Sequence, residues 1–227
     1  MNTDKLAART FGVFFIIAFL SYGFGSGIVD AIVNTPNYLT NVSTNKTAII
    51  IGAILIAIVH TIVNIGLPVI MIPFLKPFNK TITYGYLAAA ITATILLAVG
   101  TLFLLLLLPL SNEFLKLETT NTMYLEAIGN VFKKGNYYAY QIGMTIWGTG
   151  GLLLCYLLYQ SKLIARGISI WGFVGYIIFI SGTILELFGF EVGVLLSIPG
   201  GFFEIYVSVL LIRKGFRVPT KKSKVSH

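Results

Sequence analysis

Two ionisable side chains lie in the middle of long apolar stretches, where such groups are rare and usually functional. His60 is 11 residues after Ile49, and Glu204 is 12 residues after Val192. At 1.5 Å per helical residue, each lies roughly 16–18 Å from the start of its stretch. This matching depth predicts that His60 and Glu204 share one polar site inside a bundle of helices.

The backbone near both residues is expected to depart from a regular helix. Pro68 has no N–H to donate to the carbonyl of Asn64, one turn beyond His60. The sequence 199–201, Pro-Gly-Gly, precedes Glu204 and predicts an interruption of that helix. Broken helices beside a buried ionisable residue form substrate sites in many transporters. His60, Asn64 and Glu204 are therefore a candidate intramembrane polar site.

Two roles for these residues stay open at this level. A direct or water-mediated contact between His60 and Glu204 would offset the cost of an unpaired carboxylate in hydrocarbon. Such a contact could equally lock the packing of the bundle, because prolines and glycines are common in membrane helices. The sequence favours the structural role over transport.

Known catalytic and metal-binding sets are incomplete in this chain. His60 and Asn64 resemble the His-x-x-x-Asn element of intramembrane CAAX-type proteases, but the paired Glu residues and second intramembrane His of those enzymes are missing. The other histidine is His227 in the tail, so bis-histidine haem and the usual zinc sites are excluded. Cys155 has no second cysteine to pair with. We therefore predict no catalytic, cofactor-binding or metal-binding residue, no cofactor, and no enzymatic activity.

The elements that position the polar residues are six apolar stretches. Hydrophobic residues make up 56% of the chain and charged residues 11%, with a mean hydropathy of +0.88. Each stretch reaches the roughly 20 residues that span a bilayer as a helix. The first is expected to be a retained helix rather than a cleaved signal peptide. The prediction is an all-α, polytopic membrane protein with one transmembrane domain over residues 1–227, whose spans are 10–32, 48–75, 82–110, 136–160, 168–188 and 192–212.

The charge distribution predicts the orientation in the bilayer. Of the 16 Lys and Arg residues, 12 fall at one end of the six spans, where the basic tail 213–227 also lies. The positive-inside rule then predicts a multi-pass protein of the cell membrane with both termini cytoplasmic. The net charge of +8 does not indicate nucleic-acid binding, because the charges sit at helix ends and form no basic stripe interleaved with aromatics.

The opposite, outer side is predicted to be acidic at the helix ends and to carry one further helix. Asp30, Glu186 and Glu191 are candidate outer-face acidic groups. Apolar residues at helical spacing over 122–134 predict a short amphipathic surface helix between the third and fourth spans, ending at Gly135. Tyrosine and tryptophan residues at both ends are expected to be interface anchors: Tyr137, Tyr138 and Tyr140 outside, and Tyr84, Tyr86, Tyr159 and Trp171 inside.

Gly23 and Gly27 have the GxxxG spacing that allows close helix contact. Packing within the chain and formation of a homodimer both remain open for this pair.

Several local sequences together resemble those of the six-helix bacterial membrane proteins grouped as domain of unknown function 4386. Arg9 precedes the first span, and the fourth span is followed by Arg166-Gly167 and an aromatic-glycine fifth span. The other matching segments are Leu75-Lys76-Pro77-Phe78-Asn79-Lys80, Tyr156-Leu157-Leu158-Tyr159-Gln160-Ser161, Pro199-Gly200-Gly201-Phe202-Phe203-Glu204 and Arg213-Lys214-Gly215-Phe216. The turn 160–162 and the residue before Arg166 depart from the family pattern. The resemblance implies fold and membrane class, and it implies no activity.

The functional expectation is a non-enzymatic membrane protein with a structural polar core, acting in interaction or in stress. A small permease or a transporter coupled to ions or protons, using His60 and Glu204, is the alternative. An intramembrane enzyme is a weaker one. Lipid is the expected environment, while the protein partner or small solute is not readable from the sequence.

Overall fold

A computed structural model describes residues 3–116 and 122–217 of the chain, and within them every regular element is helical. Six helices are long and apolar enough to cross a membrane, which confirms the predicted number. The helices are α1 (Thr3–Val33), the short α2 (Tyr38–Thr44), α3 (Lys46–Leu75), α4 (Lys80–Lys116), α5 (Met123–Ser161), α6 (Arg166–Leu187) and α7 (Ile198–Lys214).

Long-range contacts show which elements lie at each of the two ends of the bundle. At the basic end, the side chain of Arg9 donates to the carbonyl of Ile212, 3.1 Å away, and the ring of Phe74 contacts that of Phe216. The opposite, far end contains α2 and the start of α5. There the Tyr137 hydroxyl donates to the carboxylate of Glu186 at 2.7 Å. The start of α1 and the end of α7 therefore lie together at the basic end.

The predicted surface helix over 122–134 is helical but is not a separate element. It forms the first turns of α5, which continues without interruption through Gly135 to Ser161. The predicted apolar face is also only partly buried: Leu125 is buried, whereas Ile128 and Val131 are exposed. Gly135 packs beside the ring of Phe103 within a continuous helix, so no chain reversal is needed there.

The short helix α2 is an element that the sequence did not predict. It covers the far end, where Leu39 and Val42 join a hydrophobic cluster with Val29 and Leu107. The Tyr38 hydroxyl donates to the carbonyl of Glu126 at 2.9 Å and so fixes α2 against α5. Burial, and to a lesser degree the Glu126 carboxylate, raise the pKa of the Tyr38 phenol.

Glycines let α5 pack closely against α4 on one side and α6 on the other. A side chain at Gly150 would meet Ala89 of α4, and one at Gly148 would meet Ile180 of α6. Gly151 lies directly against the ring of Tyr176, also on α6. These close approaches make α5 the central helix of the bundle.

The helices beside the polar residues do depart from regular α geometry, although not at the predicted positions. A π-helical turn, Leu55–Val59, ends just before His60, and such turns often lie at functional sites. In α7 the predicted interruption at residues 199–201 is wrong. The break lies in the 3-10 turn Gly193–Ser197, and Pro199 stands in the first turn of α7, where proline needs no hydrogen-bond partner.

Candidate functional site

The three residues of the candidate polar site line one cavity of about 390 Å³, the central cavity. Its walls come from α1, α3, α5, α6 and α7. His60 and Asn64 approach from α3, one helical turn apart, and Glu204 approaches from the second turn of α7. Folding thus brings Glu204 to the same cavity as two side chains that lie 140 and 144 positions earlier in the sequence.

Glu204 is held by two neutral donors. The hydroxyl of Tyr176 on α6 donates to Glu204 Oε1 at 2.7 Å, and the indole of Trp147 on α5 is within hydrogen-bonding reach of the carboxylate. Tyr86, a fully buried residue of α4, lies within electrostatic range of the same group. The carboxylate is therefore oriented by its neighbours while it retains some surface facing the cavity.

His60 is oriented by a backbone carbonyl of α1. Its Nδ1 lies 3.0 Å from the carbonyl oxygen of Ala18. Because a carbonyl oxygen can only accept, Nδ1 carries the proton, and Nε2 is the acceptor when the ring is neutral. The ring of Tyr22 packs edge-on against the imidazole, with centroids 5.4 Å apart.

Asn64 brings an unpartnered polar atom to the cavity. Its side chain is 2% exposed, and its Oδ1 has no hydrogen-bond partner among the described residues. Buried polar atoms in folded proteins almost always have a partner, which can be water or a bound molecule. Asn64 thus combines a place in the cavity lining with a buried side-chain oxygen that has no partner among the described residues.

No hydrogen bond or ion pair joins His60 to Glu204 in the described part of the chain, because each side chain bonds elsewhere. They line the same cavity from different walls. Their separate partners predict that the two side chains contribute to stability independently.

A second and larger cavity of about 610 Å³, the far-end cavity, adjoins the central one. Its lining contains Asp30, Lys133 and Lys134, so it is polar and carries both signs of charge. The two cavities share Tyr22, Ser26 and Tyr140 as lining residues. The rings of Tyr22 and Tyr140 are stacked with centroids 5.6 Å apart and lie where the two spaces meet.

The other candidate acidic groups are not in the central cavity. Glu186 lines a smaller cavity of about 220 Å³ at the far end and accepts from Tyr137. Glu191 is exposed. Asp30 lines the far-end cavity, which adjoins the central one.

Toward the basic end, the central cavity is closed by a tightly packed hydrophobic cluster. Phe11, Phe15, Leu67, Met71 and Leu211 are all buried there, with exposures of 0–3%. In this conformation the central cavity has polar access toward the far end and an apolar barrier toward the basic end.

Several residues of the site were not assigned to it from the sequence. Tyr86 and Tyr140 were expected to be interface anchors, but Tyr86 is 1% exposed and Tyr140 lines all three cavities. Tyr176 and Trp147 bring the donors that hold Glu204, and Tyr22 packs on His60. Tyr22, Trp147 and Tyr176 each lie near the middle of an apolar stretch, where an amphipathic ring needs a polar partner. That position could have indicated from the sequence that they belong to the site.

The described residues contain no group of three or more His, Cys, Asp or Glu side chains that could hold a metal ion. The described lining of the central cavity includes one carboxylate, one imidazole, one side-chain amide, and serine and tyrosine hydroxyls, among aromatic rings. These groups can exchange hydrogen bonds and protons with a bound molecule.

The sequence profile of the family described as domain of unknown function (DUF4386) matches residues 10–215. The chain belongs to this family. The match covers all six membrane-length helices except the first residues of α1, and it confirms the resemblance based on the local sequences. Comparison with curated proteins and with solved structures gives no match.

Proposed function

We propose that this protein is a permease of the cell membrane that acts without catalysing a reaction and binds a small solute in the central cavity. The observation that carries the proposal is a cavity of about 390 Å³ lined by His60, Asn64 and Glu204, beside which the Oδ1 of Asn64 is buried without a partner. A site built only for packing would be filled by its own side chains, because protein interiors leave few voids larger than a water molecule.

The arrangement of cavities supports transport rather than binding alone. A polar space at the far end leads to the Tyr22–Tyr140 pair, behind which the central cavity lies. The barrier beyond it consists of packed side chains such as Phe15 and Met71. Alternating access requires this combination of a central site with one open and one closed side. With both termini cytoplasmic, the open side faces outward.

A structural polar core remains the second candidate. It is favoured by the partners that His60 and Glu204 already have, the carbonyl of Ala18 and the hydroxyl of Tyr176. In that case the protein would act through contacts with another protein, and the cavity would serve no solute.

Thiol labelling from both sides of the membrane separates the two functions. In a Cys155→Ser background, an Asn64→Cys variant is exposed to a small impermeant methanethiosulfonate in right-side-out and in inside-out vesicles. A permease exposes the central site to each side in turn, so we expect modification in both preparations. Ile62→Cys is the matched control, because Ile62 is on the same helix with 64% exposure on its outer surface, where lipid excludes the reagent.

The outcomes differ clearly between the candidates. Modification of Asn64→Cys from one side alone would contradict transport. If the reagent modifies neither the Asn64→Cys nor the Ile62→Cys variant, water does not reach the cavity, and the structural core is favoured.

A further inference from the structure

We propose that the central cavity binds a monovalent organic cation, in the form of an amine or quaternary ammonium group with apolar substituents. The inference rests on the proposed function, because it names the class of solute that the same cavity takes. It follows from the charge, the aromatic lining and the access route of the cavity.

The charge of the lining favours a cation. Glu204 is the one carboxylate among the 17 described residues that line the cavity, and no Lys or Arg is among them. Its hydrogen-bond donors, Tyr176 and Trp147, are neutral. An enclosed charge without a counter-charge is strongly unfavourable, so a cation that enters beside Glu204 removes that cost. An anion would be repelled by the Glu204 carboxylate.

The aromatic lining favours an organic cation. Seven of the 17 lining residues are Phe, Tyr or Trp. Faces of aromatic rings attract cations, Trp most strongly, and aromatic cages are a recurrent way to bind quaternary ammonium groups. Trp147 and Tyr176 stand beside the carboxylate itself, while Phe19 and Phe179 offer apolar surface for substituents.

A metal ion fits this lining poorly. Magnesium and calcium need six or more oxygen ligands, and hard cations give up water only to such ligands. Glu204 is the one carboxylate among the described lining residues, and the other side-chain oxygens belong to one asparagine, two serines and three tyrosines, a set poor in the carboxylates and carbonyls that these ions prefer. Its volume of about 390 Å³ falls within the roughly 300–1,000 Å³ range of sites for small organic ligands.

Unfilled space beside two glycines of the cavity wall, one on α1 and one on α7, offers an apolar cation a route from the lipid. The two helices touch near the basic end, where a side chain at Gly12 would clash with the carbonyl of Ser208. Toward the far end, Gly23 of α1 and Gly201 of α7 both line the cavity, and neither has an atom within 4 Å of the position that a Cβ would take. Neither helix therefore fills the space beside these glycines, and Phe19, which also lines the cavity, is 52% exposed.

Tetraphenylphosphonium is a suitable probe, and the isosteric anion tetraphenylborate controls for simple partitioning into detergent. We expect calorimetric titration of the purified full-length protein to show saturable binding of the cation, beyond that of empty micelles, and none of the anion. Glu204→Gln should weaken the binding at least tenfold. The matched control, Glu191→Gln, removes an exposed acid that lines none of the three cavities and should leave the affinity unchanged.

A second pair of variants keeps the test independent of Glu204 and its effect on folding. Gly201→Leu places a side chain in the unfilled space of the cavity wall. Gly27→Leu adds the same group at a position that also has no atom within 4 Å but does not line the cavity. We expect loss of binding in the first variant and normal binding in the second. Normal binding by folded Gly201→Leu, or by folded Glu204→Gln, would overturn the proposal.

Failure of this inference is distinguishable from failure of the proposed function. If wild-type protein binds neither ion, or both ions equally, while the Asn64→Cys variant is modified from both sides, the cavity serves a solute of another class. If that variant is not modified at all, the solute site itself is refuted.

Discussion

The rings of Tyr22 and Tyr140 stack with centroids 5.6 Å apart, and this pair lies between the far-end cavity and the central cavity. Tyr22 also packs edge-on against His60. The same side chain therefore belongs to the pair between the cavities and contacts the polar site. A change in the position of Tyr22 would therefore alter access to His60, Asn64 and Glu204 together.

Removal of the Tyr22 ring should open the route between the cavities. In the Asn64→Cys, Cys155→Ser background, we expect Tyr22→Ala to increase the rate of thiol modification from the far end several-fold. Tyr138→Ala is the control, because Tyr138 is 48% exposed and lines neither cavity. An unchanged rate with Tyr22→Ala would mean that the tyrosine pair does not limit access.

The hydroxyl of Tyr176 should stabilise the bundle through its bond to Glu204. Tyr176→Phe removes only the donor at 2.7 Å, so we expect a loss of about 1.5–3 kcal/mol if the acceptor is ionised. Denaturant titration in detergent measures the free energy of unfolding. Tyr206→Phe, at an exposed position of α7, should change it little. Equal effects of the two substitutions would show that the bond to Glu204 contributes nothing.

His60 and Glu204 should contribute to stability independently, since they have separate hydrogen-bond partners. We expect the losses caused by His60→Gln and Glu204→Gln to add within about 0.5 kcal/mol in the double variant. Thermal or denaturant unfolding of the wild type, the two single variants and the double variant gives the free energies for this double-mutant cycle. A larger interaction energy would indicate that the two side chains meet, directly or through water in the cavity.

Close packing at Gly151 should tolerate no side chain. A Cβ there would overlap the ring of Tyr176, so Gly151→Ala is expected to destabilise the protein by about 1–3 kcal/mol. Gly167→Ala is the matched control, because no atom lies within 4 Å of its Cβ position and alanine favours a helix by about 0.5–1 kcal/mol over glycine. Opposite signs of the two changes in unfolding free energy are the expected result.

The orientation in the membrane can be tested at two exposed positions. In the Cys155→Ser background, Asn45→Cys lies at the far end and should react with an impermeant thiol reagent in intact cells. Phe78→Cys lies in the turn between α3 and α4 at the basic end and should react only after lysis. The reverse pattern would place the basic end outside and invert the direction proposed for the open side.

The number and type of the spanning elements followed from the sequence alone. A bilayer has no water to satisfy backbone groups, so each apolar stretch of sufficient length must form a helix. Six such stretches gave six helices, and the basic turns at Lys76 and Lys162 mark helix ends in the structure. The depth of His60 and Glu204 was also readable, because helical rise converts sequence spacing into distance.

Tertiary structure decided which side chains surround those two residues and where the helices break. The apolar periodicity of residues 122–134 predicted a helix, but not that this helix continues through Gly135 as part of α5 and is bonded to α2. Tyr86 and Tyr140 were likewise predicted from the sequence to lie at the membrane interface. In the structure Tyr86 is buried and Tyr140 lines the central cavity. In lipid, every face of a span can be apolar, so the sequence does not mark the side that faces another helix. The rotation of each helix about its axis, and with it the cavity around Glu204, is set by close contacts such as those of Gly150 and Gly151.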